Sequence, residues 1–547
     1  MFSAVQRTRT ARLMANHQFD LLVIGGGITG AGIALDAVTR GLSVALVEMQ
    51  DFAAGTSSRS TKLIHGGLRY LKQLEVKIVA ETGHERDIVY RNAPHVTEPE
   101  RMLLPFYKGG TFGKHMTSAG LFVYDLLAGV KKDERREMLT PGETLRMEPL
   151  LKRDGLLGGG HYVEYRTDDA RLTIETMKKA VERGALCLNY AKAEQFIYDN
   201  GKVIGVTVHD CWENRTFPVH ASVVVNATGP WVDEVREKDA YSNDKRLRLS
   251  KGVHLVIDRS VLPLRQAIYF DAPDGRMIFA IPRGKKAYIG TTDTFYEGDP
   301  ANPLATEEDV RYLLEAVHHL FPEVPIRRTD VESTWAGVRP LIFEEGKDPS
   351  DISRKDEVWE ADSGLITIAG GKLTGYRKMA ETVVDRVAKR LHAASAGPCV
   401  TEHLPLSGGE FRDDRHYRDF IEMKGDEAIR FGLSREEGCR LASFYGTNVD
   451  KVFLYAHAMK EEESALPVSL KAEIFYAIHH EMVLTPSDFF VRRHGDLYFQ
   501  VDRVKSVKEA ATAFMAKLLS YSEVQEHRLL QELKLHLAEA ELKGGTD

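Results

Sequence analysis

The residues with the clearest chemical role form a glycine-rich segment that is followed by a carboxylate. Gly25, Gly27 and Gly30 match the pattern G-x-G-x-x-G, and Glu48 ends the next apolar run. In this pattern the first glycine allows a tight turn, the second lets the backbone approach a pyrophosphate, and the third permits close helix packing. N–H groups at the helix start favour an anion, and Glu48 can accept hydrogen bonds from both hydroxyls of an adenosine ribose. The spacing therefore predicts a dinucleotide-binding site.

A loop rich in hydroxyl groups follows Glu48 and bears on which dinucleotide binds. Its candidate ligands are Thr56, Ser57, Ser58, Thr61 and Lys62. Small hydroxyl side chains and backbone N–H groups can follow an extended diphosphate and ribityl chain, which nicotinamide dehydrogenases rarely need. The glycine pattern alone serves both NAD and FAD, so this loop is what favours FAD. A polar surface loop is the alternative.

A histidine, two glycines and an arginine follow this loop directly. His65 precedes Gly66 and Gly67, where the backbone can lie against a flat ring, and Arg69 offers a planar fork for a phosphate or carboxylate. On its own, a His-Gly-Gly triplet is equally typical of a turn.

Apolar runs that end in glycine predict the elements that position these groups. They span 19–24, 222–229 and 364–371, and short runs of this kind are typical of buried parallel strands. The first is followed by a helical pattern and a second strand, which together make one βαβ unit. Because the runs are far apart in the chain, we predict an α/β fold with a Rossmann-like FAD-binding domain assembled from discontinuous segments.

Between these runs, alternating segments predict an inserted antiparallel β domain that binds substrate. The segments are 203–208, 254–257, 277–281 and 287–291. The expected domains are a basic lead-in over 1–18, the FAD-binding domain with its interleaved sheet over 19–400, and a C-terminal helical domain over 401–547 that ends in a charged helix near 506–541. The substrate part is expected roughly over 70–160 and 240–350.

Composition excludes several classes of protein. The 547 residues include 73 basic and 80 acidic side chains, a net charge of −7, which argues against a general nucleic-acid binder. The four cysteines are scattered, so neither a metal site nor a disulfide framework is expected, and a reducing compartment is predicted. No apolar run reaches the roughly 20 residues that span a bilayer.

Motifs in a fixed order resemble the FAD-dependent, aerobic glycerol-3-phosphate dehydrogenases of the glycine/D-amino-acid oxidase superfamily. They are 25–30, 56–70, 226–231, 337–340 and 370–374. The resemblance covers about residues 19–391, and the helical remainder is similar to the family's C-terminal domain.

The resemblance implies how FAD lies in the site. Its adenosine is expected at Glu48, its pyrophosphate at the glycine turn, and its ring near His65. The further implied cofactor contacts are Gly66, Gly67, Gly229, Gly371, Lys372, Leu373 and Thr374. Helix N-terminal N–H groups after the turn at 370–371 are well suited to the negative charge of reduced flavin.

The resemblance also implies the reaction, which is oxidation of sn-glycerol 3-phosphate at C2 to dihydroxyacetone phosphate by hydride transfer to flavin N5. The implied phosphate ligands are Arg69, Tyr70, Arg276, Arg339 and Arg354. A lone arginine is otherwise most often a surface ion-pair partner. His254, Arg339 and His65 form the implied catalytic group, with His254 as the proton acceptor and His65 as its competitor. The turn 291–293 either orients the ligands or simply ends a strand.

Membrane quinone is the electron acceptor that the resemblance favours. The alternatives are a glycerol-3-phosphate oxidase that uses O2, an amine or amino-acid oxidase of the same superfamily, and a flavin-binding scaffold without activity. We expect a cytoplasmic protein with a peripheral contact on the inner face of the cell membrane, either through the basic start (Arg7, Arg9, Arg12) or through 121–123. Whether it forms a homo-oligomer is left open by the sequence.

Overall fold

The computed structural model of the chain describes residues 2–65, 76–110, 136–239, 245–343, 355–391 and 396–542. The strands are β1 (Gln18–Ile24), β2 (Val44–Val47), β3 (Leu63–Ile64), β4 (Thr97–Tyr107), β5 (Glu137–Leu139), β6 (Leu156–Thr167), β7 (Leu186–Leu188), β8 (Ala191–Asp199), β9 (Lys202–Asp210), β10 (Arg215–Asn226), β11 (Leu247–Asp258), β12 (Ala267–Asp271), β13 (Met277–Arg283), β14 (Lys286–Gly290), β15 (Thr294–Phe295), β16 (Val331–Ile342), β17 (Asp356–Glu360) and β18 (Ile366–Gly370). The helices are α1 (Arg7–Asn16), α2 (Ile28–Thr39), α3 (Val76–Asn92), α4 (Pro141–Met147), α5 (Asp169–Glu182), α6 (Val232–Lys238), α7 (Glu307–Leu320), α8 (Tyr376–Arg390), α9 (Asp414–Ala428), α10 (Arg435–Tyr445), α11 (Val449–Ala458), α12 (Val468–His480), α13 (Asp496–Phe499), α14 (Val501–Leu519) and α15 (Glu523–Ala540).

The first sheet carries the glycine-rich turn at its parallel centre. Its strands follow the order β17-β18-β10-β1-β2-β7, and the five strands from β18 to β7 are parallel to their neighbours. The apolar strands β1 and β2 are buried, as strands covered on both faces must be. Helix α2 connects them and packs against both α5 and α8. The predicted Rossmann-like unit built from separate segments is confirmed.

One predicted strand belongs to a different sheet from the one expected. The run 203–208 forms part of β9, which pairs antiparallel with β10 in the first sheet and not in the substrate sheet. Strand β8 continues this edge. Alternation of apolar and polar residues indicates which face of a strand is buried, but it carries no information on which sheet the strand joins.

The second sheet holds the residues that we expect to contact substrate. Its order is β15-β11-β14-β13-β12-β4-β6-β3, with β16 also paired to β11 and β5 to β6. Its strands pair antiparallel as predicted, with the one exception among the described strands that β12 runs parallel to β4. The two strands come from distant parts of the chain, and long connections allow parallel pairing where a hairpin does not.

The C-terminal region is helical from α9 to α15 and shares a hydrophobic core with the second sheet. Val256 of β11 and Trp335 of β16 belong to the same buried cluster as Phe499 and Leu537. The predicted single terminal helix is instead α14 and α15. They are separated at Ser520, whose φ of 54° is left-handed.

The basic N-terminal segment is packed against the first sheet. Helix α1 contacts β7 and β10, and Arg7 is 2% exposed and donates to both carboxylate oxygens of Asp210 at 2.8 Å. A buried, paired guanidinium is not available to a lipid surface, so the predicted membrane contact through Arg7 is wrong. Arg9 and Arg12 are exposed, and 121–123 lies outside the described residues. Within the described ranges, no helix has both the length and the apolar character needed to cross a bilayer.

Candidate active site

Residues of both sheets line a cavity of about 630 Å³, a size that suits a large organic ligand. Most of the predicted site residues lie on its wall, namely Gly25, Gly27, Glu48, Thr56, Ser57, Thr61, His65, Gly229, His254, Arg276, Arg339, Gly371, Lys372, Leu373 and Thr374. Five predicted residues (Gly66, Gly67, Arg69, Tyr70 and Arg354) lie outside the described residues.

The glycine turn is shaped by close backbone contacts. Gly25 has a φ of 112°, a conformation that side chains disfavour, and a Cβ on Gly30 would stand 1.9 Å from the carbonyl oxygen of Gly25. Gly30 does not line the cavity itself, because its part is to let α2 approach β1. Gly27 is the N-cap of α2 and makes no side-chain cap. The Ile28 N–H at the start of α2 donates to Ser57 Oγ, and the positive end of the helix dipole faces the cavity, where Ile28 and Thr29 form part of the wall.

Glu48 is held by backbone donors at the end of β2. Its Oε2 accepts from the Gly26 N–H at 2.7 Å, and its Oε1 accepts from the Gln50 N–H at 2.8 Å. Burial raises the pKa of this carboxyl, while the two backbone donors act in the opposite direction. Each carboxylate oxygen has a further lone pair, so the ionised group can accept hydroxyl hydrogens from a ligand in the cavity.

The hydroxyl loop is tied to elements on both sides of the cavity. Thr56 Oγ1 donates to the Val338 carbonyl at 2.6 Å, and Ser57 Oγ accepts from the Ile28 N–H at 2.9 Å. Thr61 Oγ1 lies 3.0 Å from His254 Nε2. The loop thus joins the start of α2 to the strands β11 and β16.

Two side chains of this loop point away from the cavity. Lys62 is 4% exposed, and its Nζ donates to Asp169 Oδ1 at 2.5 Å and to the Ser58 carbonyl at 3.0 Å. Ser58 is 1% exposed and does not line the cavity. Asp169, the first residue of α5, holds the Lys62 side chain inside the protein, so the predicted cofactor contacts of Ser58 and Lys62 stay predictions that these side-chain positions do not support.

The two segments predicted to flank the flavin ring lie next to each other. Thr374 Oγ1 accepts from the His65 N–H at 3.2 Å and lies 3.2 Å from the His65 carbonyl. A single 3₁₀ turn over Leu373–Gly375 leads directly into α8. Residues 309 positions apart in the chain are thereby brought to one wall of the cavity.

His254 stands on β11 with its ring stacked on Trp335, at a centroid distance of 4.7 Å. It is 1% exposed, and burial lowers its pKa well below 6.5, as do the positive charges of Arg339 and Lys62. The imidazole is therefore neutral at neutral pH, which is the form that accepts a proton.

Arg339 is fixed by the turn after β14. It donates to Asp293 Oδ1 at 3.1 Å and to Thr291 Oγ1 at 3.0 Å. A Cβ on Gly252, two residues along β11 from Ser250, the partner of Arg339 in the register, would lie 2.4 Å from Arg339 Nη2, so the guanidinium occupies space that the absent side chain leaves. The turn 291–293 is therefore more than a strand end, since it orients the main predicted phosphate ligand.

Arg276 reaches the same end of the cavity from the start of β13. Its Nε donates to Asp274 at 2.6 Å and its Nη1 to the Asp293 carbonyl at 3.3 Å. Its side chain is 33% exposed and that of Arg339 is 19% exposed, so Arg276 is the more hydrated of these two predicted phosphate ligands.

The sequence analysis did not predict that Tyr269 and Phe279 form part of the cavity wall. It also did not predict that Asp169 binds the side chain of Lys62. Phe279 stacks on Tyr269 at a ring distance of 4.2 Å and contacts His65 edge-on at 5.9 Å. Aromatic residues in strands are ordinarily core residues, so their pattern contained no signal. Asp169 was detectable only as a helix-start carboxylate after Asp168.

Comparisons with known proteins agree over the whole chain. A family model described as FAD dependent oxidoreductase matches residues 20–377, and one described as C-terminal domain of alpha-glycerophosphate oxidase matches residues 399–526. Curated relatives named aerobic glycerol-3-phosphate dehydrogenase are 56% identical over 544 residues in Bacillus subtilis (strain 168) and 57% identical over 543 residues in Staphylococcus epidermidis (strain ATCC 12228 / FDA PCI 1200), each covering 98% of both chains. The solved structure of a glycerol-3-phosphate dehydrogenase from Bacillus halodurans complexed with FAD is 49% identical, has a TM-score of 0.88 and covers 100% of both chains.

Proposed function

This chain belongs to the FAD-dependent glycerol-3-phosphate dehydrogenases of the FAD dependent oxidoreductase family, and we propose that it oxidises sn-glycerol 3-phosphate to dihydroxyacetone phosphate and passes the electrons to a membrane quinone. The observation that carries this proposal is the meeting of a neutral histidine and two arginines with the glycine turn in one cavity. A small anionic alcohol needs this combination of a base and cations beside a redox cofactor.

The described residues fit FAD. The close-packed glycine turn, the start of α2 and Glu48 suit the adenosine diphosphate half, and His65 with residues 371–374 suit the ring half. When bound, FAD supplies an acceptor for the hydride that leaves C2 of the substrate. The protein's own residues then have two tasks, which are to hold the phosphate and to receive the hydroxyl proton.

We assign the proton to Nε2 of His254. This nitrogen lies 3.0 Å from Thr61 Oγ1, which is on the cavity wall, whereas Nδ1 is buried and makes no hydrogen bond with any described residue. His65 is the competing candidate for this role.

We assign the phosphate to Arg339 and Arg276. Asp293 contacts both residues, by its carboxylate to Arg339 and by its carbonyl to Arg276, and so keeps the two guanidinium groups at one end of the cavity. Charge-assisted hydrogen bonds from a planar fork suit a phosphate dianion. The roles of Arg69, Tyr70 and Arg354 stay predictions.

Anaerobic addition of glycerol 3-phosphate to the purified protein tests the proposed reaction. We expect the visible flavin absorbance to bleach with glycerol 3-phosphate and to stay unchanged with glycine, sarcosine or D-alanine. Bleaching by one of the amino acids alone would identify an amine or amino-acid oxidase, and no bleaching by any of them would contradict an active enzyme.

The same reduced sample tests the electron acceptor. We expect a soluble quinone analogue to restore the flavin colour faster than dissolved O2 does, with little hydrogen peroxide formed. A quinone acceptor requires contact with a membrane, and the exposed Arg9 and Arg12 of α1 support such a contact. Fast reoxidation by O2 with stoichiometric peroxide would indicate an oxidase.

Replacing Arg339 by alanine is expected to raise KM for glycerol 3-phosphate. A hydrogen bond to a charged group contributes about 1.5–3 kcal/mol, so KM should rise roughly 10- to 100-fold. Arg248→Ala is the matched control, because Arg248 is an exposed arginine on β11 that does not line the cavity. Steady-state kinetics in which both variants keep the parent KM would remove Arg339 from the phosphate site.

A further inference from the structure

We propose that the C-terminal helical domain holds the FAD-binding loop in place, through a buried contact of Arg492 and Arg493 with Asp51. This inference rests on the FAD site alone and does not depend on which substrate is oxidised. It assigns a part in cofactor binding to a domain that contributes no predicted site residue.

The contact is short, buried and made by three side chains. Arg492 Nε donates to Asp51 Oδ2 at 2.6 Å, and Arg493 donates through Nη1 to Oδ2 at 2.8 Å and through Nη2 to Oδ1 at 2.9 Å. Asp51 and Arg493 are each 1% exposed and Arg492 is 8% exposed. Fork-shaped contacts of this kind fix orientation as well as distance.

Asp51 lies between the two cofactor-binding segments that follow β2. Three residues before it is Glu48, and four residues after it the hydroxyl loop begins at Gly55. The Gln50 N–H donates to Glu48, and the Ala53 N–H donates to the Gly26 carbonyl at 3.0 Å. The stretch that Arg492 and Arg493 anchor is therefore bonded directly to the predicted ribose ligand and to the glycine turn.

Asp488 fixes Arg492 from the side opposite to Asp51. Arg492 Nη2 donates to Asp488 Oδ1 at 2.6 Å, and Tyr190 Oη donates to the same oxygen at 2.6 Å. Asp488 and both arginines belong to one π-helical turn, Asp488–Arg493, a conformation found frequently at functional sites. The Tyr190 N–H in turn donates to the Gln50 carbonyl at 2.8 Å.

The two guanidinium groups pair closely with the carboxylates of Asp51 and Asp488, and Glu481 Oε2 lies farther away, 4.0 Å from Arg493 Nε. Removing the charge of Asp51 takes away the closest counter-ion of the buried Arg493 and leaves it only the 4.0 Å pair with Glu481, a loss that burial makes unfavourable. We therefore expect the loop around Asp51 to lose its fixed position. Each backbone residue that must then be ordered when FAD binds lowers affinity about 10-fold, so the loss should be roughly 10- to 100-fold.

The experiment compares two carboxylate-to-amide changes in the full-length protein. Asp51→Asn breaks the contact with the loop. Glu473→Gln is the matched control, because Glu473 is 0% exposed and pairs with Arg440 at 2.8 Å within the C-terminal domain without lining the cavity. FAD is removed from each protein and titrated back, with flavin fluorescence reporting Kd and thermal unfolding of the FAD-free protein reporting stability.

We expect Asp51→Asn to raise Kd for FAD about 10- to 100-fold, while Glu473→Gln lowers the unfolding temperature and leaves Kd unchanged. Equal Kd values for Asp51→Asn and the parent would overturn the proposal, since the contact would then serve stability alone. If Asp51→Asn does not fold, Arg493→Lys takes its place, because it keeps the charge and loses the two-point contact with Asp51. An unchanged Kd in that variant would overturn the proposal equally.

Discussion

The Gly30→Val variant should be purified without bound FAD. Even the first carbon of a side chain at this position would lie 1.9 Å from the carbonyl oxygen of Gly25. That oxygen belongs to the turn itself, so the clash is relieved only by moving α2 or the turn that meets the pyrophosphate. Gly27, where a Cβ would lie 3.0 Å from Ser57 Oγ, is the less sensitive position because a side-chain hydroxyl can rotate.

The visible flavin absorbance and the ratio of flavin to protein measure this effect. Gly142→Val is a suitable control, since Gly142 is in the first turn of α4 and a Cβ there would meet only the end of Arg146, at 3.7 Å. The control should keep one flavin per chain. A yellow Gly30→Val protein with full flavin content would contradict the assignment of the turn to the cofactor.

A His254→Asn variant is expected to keep FAD and to lose most of its turnover. If His254 Nε2 takes the hydroxyl proton, kcat should fall by roughly 10²- to 10⁴-fold, the range for loss of a general base. The measurement is anaerobic flavin reduction by glycerol 3-phosphate in a stopped-flow instrument, because it reports the chemical step without the later transfer to an acceptor.

His161→Asn is the control for this variant. His161 is a buried histidine on β6 of the same sheet and does not line the cavity. We expect its flavin to be reduced at the parent rate. An unchanged rate of flavin reduction in His254→Asn would show that His254 is not the proton acceptor. That role would then be assigned to His65 or to a water molecule.

Local patterns predicted the first βαβ unit because each of its signals lies within a few residues. The apolar run before Gly25 forms β1, and the helical spacing after Gly30 forms α2. The break between α14 and α15 was missed, although it has a local signal in Ser522, which caps α15 through Gln525. The pairing of distant strands could not be predicted in this way, because nothing in the run 203–208 indicates that it pairs with β10.

For the candidate site, too, the sequence predicted which residues take part but not the contacts that depend on distant parts of the chain. Residue type and order indicated which side chains can bind a dinucleotide or a phosphate, and most of those described do line the cavity. The sequence could not predict which way the Lys62 side chain points, because its position is set by Asp169, 107 positions away in the chain. The partners of Arg339 depend likewise on the pairing of β11 with β14 and β16.

The shared core of the C-terminal helices and the second sheet limits how this protein can be divided. Trp335, on which His254 stacks, is also in ring contact with Tyr498 and Phe499 of the helical region. A truncated chain ending near Leu391 would expose this apolar surface to water, and an exposed apolar surface of this kind favours aggregation. Gene fusions or split versions of the enzyme should therefore join at the chain ends and leave the junction between the two regions intact.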